Sequence, residues 1–588
     1  MEKIQFILIH YAQLSVFAAA CYGMGAWTTR YSGISDLPRT FTVALTLCIG
    51  MGIFILGMQI LGLAGALRHG PVLGLLAAGL AGLVPAVLHA RRARHLPPAP
   101  APFARTAVSW RWLHFLVPAA VTTELVLRPL GPPEAWDELM YHLPHARDWV
   151  STGRLQVNEW LRYPLFPYNF NLLFAGGLVF GNDIFAHMAH AFAGALVIAG
   201  MYGLAARHFG HAVAAIAILL FVSLTKTEFG NAYVDLGLTA FLFFSAGCTL
   251  LWYESGRFRL VCLAAFLLGV AAGIKYQALV FAPFLVVAIL LRERRIRRLA
   301  VLAVLFALPC AYWYIRNFLV SGDPVHPLGG AVFGYWGWDQ RDMEYQVADI
   351  RRVYGWPNLL VWPAAGAVAL WTLWGKLAFR SIFLFSVYAF AAWMLTSHYP
   401  RYLLPAYPFL CILSALVVTH GVQSAVVAPL SRRSNDSSPA WWKAGQIFLA
   451  IALGLVFLAS LGSAARKWQT IQPNAVARAA YLREKIQSYE VAEFLRSRPG
   501  YRLVQIGLES DLYYLPPGTI GDVFGPGRYR DLIALPPQQL AARVRSFGAN
   551  ALLLPTTGEA AEISNRSGFG EAFSLLVETA GARLYAVK

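Results

Sequence analysis

Two adjacent carboxylates, Asp137 and Glu138, follow a hydrophobic segment directly and open a polar loop rich in aromatic residues. Tyr141, His142 and His145 come next, at spacings that would bring several of these side chains to one side of a helix. A carboxylate in such a loop can accept a proton from a substrate hydroxyl and so act as a general base. The alternative is structural: both carboxylates would occupy the first turn of an interfacial helix and stabilise its N-terminal dipole.

Further ionisable side chains recur where apolar runs begin, break or end. Asp235 opens one apolar run, and Lys275 interrupts another within Gly-Ile-Lys-Tyr-Gln. Each such residue alone is equally well explained as an anchor whose charged end reaches the membrane surface. Their recurrence at five separate sites, with carboxylates, lysine and arginine among them, favours a functional cluster. The remaining candidates are Arg316, His326, His398, Arg401 and Tyr402.

This set of residues has the chemistry that sugar transfer requires. Displacement at an anomeric carbon needs a carboxylate within hydrogen-bonding distance of the acceptor hydroxyl, and Asp137 suits this task. A departing phosphate needs fixed positive charge as negative charge builds on its oxygens, and Lys275 and Arg401 suit that task. The Trp, Tyr and Phe residues of the same loops suit sugar faces and the level of the lipid headgroups.

The composition indicates a polytopic membrane protein. Of the 588 residues, 58% are hydrophobic and 13% are charged, and the mean hydropathy is +0.53, whereas charged residues make up about 25% of a soluble domain. The net charge of +18 does not indicate a nucleic-acid partner, because the basic residues are scattered in short clusters between apolar runs. The six cysteines lie inside apolar segments without a CxxC pair, so neither a zinc site nor a disulfide framework is predicted.

Apolar runs of roughly 15 to 25 residues predict an all-α membrane domain of about fourteen transmembrane helices over residues 1–462. Four of these spans precede the loop that carries Asp137, and the others follow it. The predicted spans are 4–26, 41–66, 71–90, 112–127, 184–205, 212–225, 235–252, 260–274, 277–291, 299–318, 357–374, 381–397, 402–424 and 444–462.

Arginine clusters predict the orientation in the membrane. They fall in four loops, and the alternation of spans puts all four loops on one side, which is therefore the cytoplasmic side. The loops 130–183 and 316–356 and the C-terminal region then face outwards. The arginines concerned are Arg91, Arg92, Arg94, Arg105, Arg111, Arg257, Arg259, Arg292, Arg294, Arg295, Arg297, Arg298, Arg432 and Arg433.

From residue 463 to 588 the charge rises, and the pattern becomes that of a small α/β domain outside the membrane. Residues 489–498 predict an amphipathic helix, and residues 536–548 predict a second helix with proline at its start and glycine at its end. Isolated glycines form no nucleotide-binding fingerprint, so the domain is predicted to act as a lid or to dock the acceptor. Strands are predicted at 501–507, 551–555 and 583–587.

Five motifs, taken in order, resemble the GT-C superfamily of integral-membrane glycosyltransferases, in particular the bacterial branch similar to protein O-mannosyltransferases and aminoarabinose transferases. The resemblance covers residues 134–416. Each motif alone is weak, and the signal lies in their common order. The motifs are Trp-Asp-Glu-Leu-Met-Tyr-His at 136–142, Asp235 at the start of a span, Gly-x-x-x-Gly-Ile-Lys ending at Lys275, Arg316-Asn followed by Gly-Asp-Pro-Val-His-Pro, and Arg401-Tyr-Leu-Leu-Pro-Ala-Tyr-Pro.

The resemblance implies a GT-C fold and a polyprenyl-phosphate-linked sugar as the donor. It implies an acceptor glycan, lipid or protein on the periplasmic or extracellular side of a bacterial inner membrane, and inversion at the anomeric carbon. Asp137 matches the catalytic aspartate of the first outer loop, Glu138 matches its acidic neighbour, and Asp235 matches the second acidic position. The expected donor-phosphate ligands are Lys275, Arg401 and Arg316, and the expected substrate-binding residues are Tyr141, His142, His326, His398 and Tyr402.

A divalent cation, Mg²⁺ or Mn²⁺, stays open as a cofactor, because the superfamily contains metal-dependent and metal-independent members. Asp137, Glu138 and Asp235 could share such a hard cation through oxygen ligands. The histidines nearby do not have the spacing of a zinc site.

Two other functions remain as alternatives. A secondary transporter or lipid flippase would also have acidic and basic groups near the membrane, although such proteins bind their substrate near the bilayer midplane and often contain repeated halves. A polysaccharide ligase or polymerase would also combine many spans with a large outer loop, and its donor would be a pyrophosphate-linked glycan.

Overall fold

The structure is a computed structural model that describes residues 1–29, 37–85, 113–422 and 440–588. Parts of the spans predicted at 71–90, 112–127 and 402–424 lie outside the described residues. The same is true of seven of the arginines used to predict the orientation, namely Arg91, Arg92, Arg94, Arg105, Arg111, Arg432 and Arg433.

Apolar helices make up most of the molecule, because a helix in lipid satisfies its backbone hydrogen bonds within its own segment. Within the described residues, eight helical segments are long and apolar enough to cross a membrane, and four further apolar helices are shorter. Every predicted span overlaps a helical segment. The predicted helical membrane domain is therefore confirmed, whereas the number of helices that cross the membrane stays a prediction.

The α-helices of eight or more residues are numbered in chain order. They are α1 (Glu2–Thr29), α2 (Arg39–Leu63), α3 (His69–Ala81), α4 (Leu113–Leu127), α5 (Leu143–Thr152), α6 (Asn171–Val179), α7 (Ile184–Phe209), α8 (His211–Thr225), α9 (Asp235–Ser255), α10 (Phe258–Ala272), α11 (Ala278–Arg292), α12 (Ile296–Ser321), α13 (Gln340–Arg352), α14 (Leu377–Leu395), α15 (Tyr407–Val422), α16 (Ala440–Thr470), α17 (Ala475–Lys485), α18 (Tyr489–Arg496) and α19 (Pro537–Ser546).

One predicted span is not α-helical. The segment Leu359–Ala369, within the predicted span 357–374, is a 3₁₀ helix that packs against α15. Pro363 lies inside it. Proline has no backbone N–H to donate, so it removes one hydrogen bond from this segment.

Helix α9 is the centre of the membrane domain. It packs against α7, α10 and α11 and against the 3₁₀ segment Pro400–Ala406. Its sequence is apolar on all sides, and nearly all of its side chains are buried, as expected for a helix enclosed by other helices. Asp235, at the start of α9, is therefore enclosed by protein and is only 2% exposed.

The break between α10 and α11 carries Lys275, and its shape depends on Gly273. The Gly273 carbonyl accepts a hydrogen bond from the backbone N–H of Asn169 at 2.7 Å. A Cβ atom at position 273 would lie 2.1 Å from the side chain of Asn169, so only glycine permits this close approach. The side chain of Asn169 also donates to the carbonyl of Pro309 in α12 at 2.9 Å. The backbone around Lys275 is thereby fixed to two neighbouring segments.

The C-terminal domain contains a four-stranded sheet of order β1-β2-β4-β3. Strand β1 (Leu503–Gln505) pairs in parallel with β2 (Ala551–Pro555), and β4 (Ala582–Val587) pairs antiparallel with β2 and with β3 (Phe573–Glu578). The predicted α/β domain is confirmed, with both predicted helices at α18 and α19. Strand β3 was not predicted. Helix α16 continues across the predicted domain boundary at residue 463 to Thr470.

The C-terminal domain is docked on the first outer loop. Arg162 of this loop makes a bidentate ion pair with Asp522, through Nε at 3.0 Å from both carboxylate oxygens and through a second guanidinium nitrogen. Arg147 donates to the carbonyl of Tyr513 at 2.6 Å. The backbone N–H of Tyr513 in turn donates to the carbonyl of Leu139 at 2.9 Å. The loop that follows the predicted catalytic carboxylate is thus fastened to the C-terminal domain.

The second outer loop is held by the same domain. Arg528 donates to Asp339 at 3.0 Å and to Asp342 at 2.8 Å, at the start of α13. The ring of Trp338 stacks on that of Phe524, with centroids 4.6 Å apart. Both outer loops and the C-terminal domain therefore form one continuous cap over the end of the helices.

Candidate functional site

Asp137 immediately precedes a π-helical turn, Glu138–His142, that leads into α5. Such turns contain one extra residue and are frequent at functional sites. The predicted helix is present, but it does not bring all the polar side chains to one side. Tyr141 and His142 lie close enough to Asp137 to interact electrostatically with its carboxylate. Glu138 turns elsewhere, and His145 forms a hydrogen bond with the carbonyl of Arg162 at 3.0 Å.

Two carboxylates and two cations from separate parts of the chain meet at the start of α9. Arg401 donates to Asp137 Oδ2 at 2.6 Å, and Arg401 Nε lies 3.8 Å from Asp235 Oδ2. Lys275 donates to Asp235 Oδ1 at 3.1 Å. The four residues Asp137, Asp235, Lys275 and Arg401 are called the charge cluster below. Their formal charges cancel, and Arg401 bridges the two carboxylates.

The charge cluster is open to solvent on one side. The side chains of Asp137 and Arg401 are 19% and 18% exposed, and that of Lys275 is 14% exposed. The side chain of Asp235 is only 3% exposed. A ligand arriving from solvent would therefore meet Asp137 and the two cations, while Asp235 holds both cations from behind.

Tyrosine rings enclose the two cations. The guanidinium carbon of Arg401 lies 4.7 Å from the ring centroid of Tyr233 and 5.4 Å from that of Tyr399. Lys275 Nζ lies 4.3 Å from the ring centroid of Tyr402. Each such contact stabilises a cation by about 0.5–1 kcal/mol, and by more where water is excluded. Tyr402 therefore supports Lys275, and its predicted contact with substrate stays a prediction.

The charges around Asp137 keep it ionised. Burial raises the pKa of Asp137, but the positive charge of Arg401 and the hydrogen bond from it act more strongly together, so the pKa lies below its ordinary value. Burial lowers the pKa of His142 to about 3, so this imidazole is neutral at pH 7. Asp137 is thus a carboxylate that can accept a proton once its hydrogen bond from Arg401 is released.

Glu138 turns away from the charge cluster and joins two outer segments. One oxygen of its fully buried carboxylate accepts from two backbone N–H groups of its own loop, both at 2.6 Å. The other oxygen accepts from the backbone N–H of Ala232 at 2.5 Å and from His187 Nε2 at 2.8 Å. Because Ala232 lies just before Asp235, we infer that Glu138 is a positioning residue that sets the spacing between Asp137 and Asp235.

For the sugar transfer predicted from the sequence, the substitution Glu138→Gln is expected to lower kcat by about tenfold or more, because small displacements of reacting groups cost this much. Glutamine offers one acceptor oxygen where the carboxylate offers two, so buried N–H groups lose partners at a cost of about 1–3 kcal/mol each. Initial rates at temperatures well below the melting temperature should show the lower kcat with a nearly unchanged KM for the donor.

The matched control is Glu134→Gln in the same loop. Glu134 is exposed and accepts a hydrogen bond from the Tyr481 hydroxyl at 2.6 Å. This variant should keep the parental kcat. A Glu138→Gln protein with the parental kcat would show that the position of Asp137 does not depend on this carboxylate.

Two histidines of α7 that the sequence patterns did not single out hold the acidic segments. His190 Nδ1 donates to the carbonyl of Asn231 at 3.0 Å, and His190 Nε2 accepts from the N–H of Leu236 at 2.9 Å, an assignment that follows from its two partners. His187 binds Glu138. One sequence feature could have identified these two residues: they form a His-x-x-His pair within an apolar span. Polar groups inside a membrane span need specific partners, so such a pair indicates a structural or functional role.

Three other predicted residues make their contacts outside the charge cluster. Arg316 donates to the carbonyl of Phe166 at 3.0 Å. His326 Nε2 accepts from the backbone N–H of Trp336 at 3.4 Å. His398 is surrounded by aromatic rings of the neighbouring segments. Their roles in donor and substrate binding stay predictions.

The carboxylate oxygens of Asp137, Glu138 and Asp235 do not fit a site in which the three side chains share a divalent cation. Both oxygens of Glu138 are engaged by N–H donors, and Asp137 and Asp235 are neutralised by Arg401 and Lys275. Among the side chains that the structure describes, no three His, Cys, Asp or Glu residues lie close enough together to hold a metal ion.

Comparisons with known sequences give partial matches. A family model described as dolichyl-phosphate-mannose-protein mannosyltransferase matches residues 164–315, a stretch that includes Asp235 and Lys275. A second model, described as SF2091/S2213, matches residues 477–586. Two uncharacterised proteins of Shigella flexneri are 35% identical over 130 residues and 36% identical over 61 residues. These stretches cover 22% and 10% of this chain and 64% and 33% of the relatives, so the chain spans less than two thirds of either relative.

Comparison with solved structures identifies the fold. ArnT from Cupriavidus metallidurans bound to undecaprenyl phosphate is 16% identical, with a TM-score of 0.52 over 82% of this chain and 98% of that one. The apo state of the same protein gives a TM-score of 0.50, with 16% identity over 81% and 98% of the two chains. The chain is a multi-pass membrane protein with the fold of ArnT, so the fold implied by the resemblance found in the sequence is confirmed.

Proposed function

We propose that the protein is an integral-membrane glycosyltransferase that moves a sugar from a polyprenyl-phosphate donor to an acceptor hydroxyl. The charge cluster carries this proposal, because it joins a solvent-accessible carboxylate to two cations. The mannosyltransferase family model over residues 164–315 and the likeness to ArnT bound to undecaprenyl phosphate support the same donor class. The described arginine clusters, at residues 257–259 and 292–298, lie at the ends of α9–α12 that point away from the charge cluster. Because such clusters mark the cytoplasmic side, this arrangement favours a periplasmic position for the site in a bacterial inner membrane.

In the proposed reaction Asp137 is the general base. It accepts the proton of the acceptor hydroxyl while the hydroxyl oxygen forms a bond to the anomeric carbon. The bond between that carbon and the phosphate oxygen breaks, and the polyprenyl phosphate leaves with the electron pair. Arg401 and Lys275 stabilise the negative charge on the departing phosphate. Attack from the face opposite the phosphate inverts the anomeric carbon.

Arg401 must serve two anions in turn. Without donor it is hydrogen-bonded to Asp137 at 2.6 Å. A donor phosphate adds a negative charge to a cluster whose formal charges cancel, and it competes with Asp137 for the guanidinium group. Once Arg401 turns to the phosphate, Asp137 loses its hydrogen bond and becomes free to accept a proton. The base is therefore activated by donor binding.

This coupling predicts different pH dependences for kcat/KM and kcat. In the free enzyme, the pKa of Asp137 lies below its ordinary value, which is about 3.9. The base works only when ionised, so kcat/KM should stay constant from about pH 8 to pH 5 and fall at lower pH, as the carboxylate becomes protonated. In the donor complex, Arg401 is withdrawn and burial raises the pKa of Asp137, so kcat should begin to fall at a higher pH.

The measurement is a pair of pH–rate profiles with a soluble short-chain donor. His142, with a pKa of about 3, stays neutral from about pH 8 to pH 5 and adds no transition there. An acid limb of kcat/KM with its midpoint above about pH 6 would assign the base to another group.

The proposed activity is tested directly by incubating the purified protein in detergent with a polyprenyl-phosphate-linked radioactive sugar and a membrane extract as the source of acceptors. Transfer of label with release of polyprenyl phosphate supports the proposal, because a transporter or flippase breaks no glycosidic bond. Use of a pyrophosphate-linked glycan in preference to the monosaccharide phosphate would favour the ligase or polymerase alternative.

A further inference from the structure

A cavity of 650 Å³ lies between the C-terminal domain and the first outer loop. It is called the interdomain cavity here. Four arginines and four tyrosines line it, and Asp183 is the only acidic residue among its described lining residues. The arginines are Arg147, Arg478, Arg496 and Arg498. None of these residues belongs to the charge cluster.

Two of the four arginines carry free positive charge. Arg478 is neutralised by Asp183, with Nη1 3.0 Å from the carboxylate. Arg496 and Arg498 are exposed, and in the part of the chain that the structure describes neither forms an ion pair. Each stacks instead on an aromatic ring, Arg496 at 5.0 Å from the Tyr489 centroid and Arg498 at 4.3 Å from the centroid of a phenylalanine. The cavity therefore has an excess of positive charge that stays available to a ligand.

The tyrosines suit a ligand that carries sugar rings. Tyr489 and Tyr514 meet edge to face, with centroids 5.5 Å apart, and Tyr513 and Tyr514 lie 5.2 Å apart. Such side chains offer apolar faces for contact and hydroxyl groups for hydrogen bonds. A planar guanidinium group binds carboxylate or phosphate through two parallel hydrogen bonds. Together the lining favours a saccharide with anionic groups.

The cavity wall is continuous with the loop of the proposed base. The N–H of Tyr513 donates to the Leu139 carbonyl at 2.9 Å. The side chains of Leu139 and Tyr489 pack in one apolar cluster. Leu139 lies two positions after Asp137, so a chain of sugar units held in the cavity would be anchored beside the segment that carries the base.

We propose that the interdomain cavity binds an anionic segment of the acceptor glycan, meaning sugar units that carry carboxylate or phosphate groups. This rests on the proposed transferase function and names the class of its acceptor. The C-terminal domain then holds the acceptor by its charge, while another part of the same glycan presents its hydroxyl group to Asp137.

The double variant R496Q/R498Q tests this proposal, because it removes the free charges and alters only exposed side chains. The probe is a glucuronate-containing tetrasaccharide, titrated by calorimetry into the full-length protein in detergent without donor. Its affinity should fall by about tenfold or more in the variant, and affinity for the parent protein should fall with rising salt. Pyrophosphate, titrated in parallel, shows whether phosphate groups are accepted as well. The neutral control ligand, maltotetraose, should bind both proteins equally.

The matched protein control is Arg543→Gln. Arg543 also stacks on an aromatic ring, at 4.5 Å from the centroid of Phe547, and it lies on α19 outside the cavity lining. This variant should bind the tetrasaccharide as the parent does.

Equal binding of the charged and neutral tetrasaccharides by the parent, or unchanged binding by R496Q/R498Q, would overturn the proposal. Tighter binding of tetraglutamate than of the tetrasaccharide would also overturn it, since the cavity would then be a peptide site. The titration contains no donor and does not depend on transfer. Failure of the proposed enzyme activity is therefore recognised separately, in the assay with the labelled donor.

Discussion

Asp137→Asn is expected to lower the rate of sugar transfer by about 10²–10⁴-fold, the usual contribution of a general base. Asparagine has the size of aspartate but cannot take up the acceptor proton. Arg401 keeps Asp235 as a partner in this variant, so the fold and the donor site should persist. Transfer from the labelled donor gives kcat, while melting temperature and donor affinity, measured on the same sample, report the integrity of the protein.

The control for this substitution is Asp349→Asn. Asp349 is an exposed carboxylate on α13, in the second outer loop, and has no ion-pair partner among the described residues. Its loss should leave kcat unchanged. If the Asp137→Asn protein transferred sugar at the parental rate, Asp137 would have no role in proton transfer.

Arg401→Gln is expected to weaken donor binding by about tenfold to a hundredfold, the range that corresponds to losing a charge-assisted hydrogen bond. The loss should appear as a raised KM for the donor and a smaller change in KM for the acceptor, because Arg401 is assigned to the lipid phosphate. The substitution also leaves Asp137 and Asp235 without their shared cation. The pKa of Asp137 should rise, so the acid limb of kcat/KM should move to higher pH.

Two further variants show whether the weaker donor binding depends on the geometry of the Arg401 side chain and on its position. Arg401→Lys keeps the charge but lacks the planar fork that bridges Asp137 and Asp235, so donor affinity should fall between the parental and Arg401→Gln values. Arg380→Gln, which removes an exposed arginine near the opposite end of α14, should leave the KM for the donor unchanged. Equal effects of Arg401→Gln on both substrates, or no effect on either, would contradict the assignment to the donor phosphate.

Sequence patterns singled out the four charged residues that meet at the start of α9, but not how they pair. Asp137, Asp235, Lys275 and Arg401 stand out because they recur where apolar spans begin, break or end on the side away from the arginine clusters. Their pairing depends on the packing of α9 against α10 and the 400–406 segment. Contacts between residues so far apart in sequence leave no periodic pattern.

Glu138 shows how a local change of backbone geometry escapes sequence reasoning. Its spacing from Tyr141 and His142 suggested a shared helical face. The π turn at Glu138–His142 contains one extra residue, and Glu138 instead faces His187 and the N–H of Ala232. No simple pattern predicts a π turn.

Strand β3 was missed for a different reason. It follows the short helix Phe569–Ala572 directly, so no turn separates the helix from the start of the strand. Its pairing with β4 has a register irregularity at Leu575 and Val577. Strand β4, which was predicted, lies inside the sheet between β2 and β3.

The attachment of Tyr513 and Asp522 to the first outer loop makes the shape of that loop depend on residues made much later in translation. The apolar helices can enter the lipid before residues 513–522 have been synthesised, and until then the loop that bears Asp137 lacks the partners that shape it. Under the proposed function, we expect a chain that stops before residue 513 to stay in the membrane without consuming lipid-linked sugar.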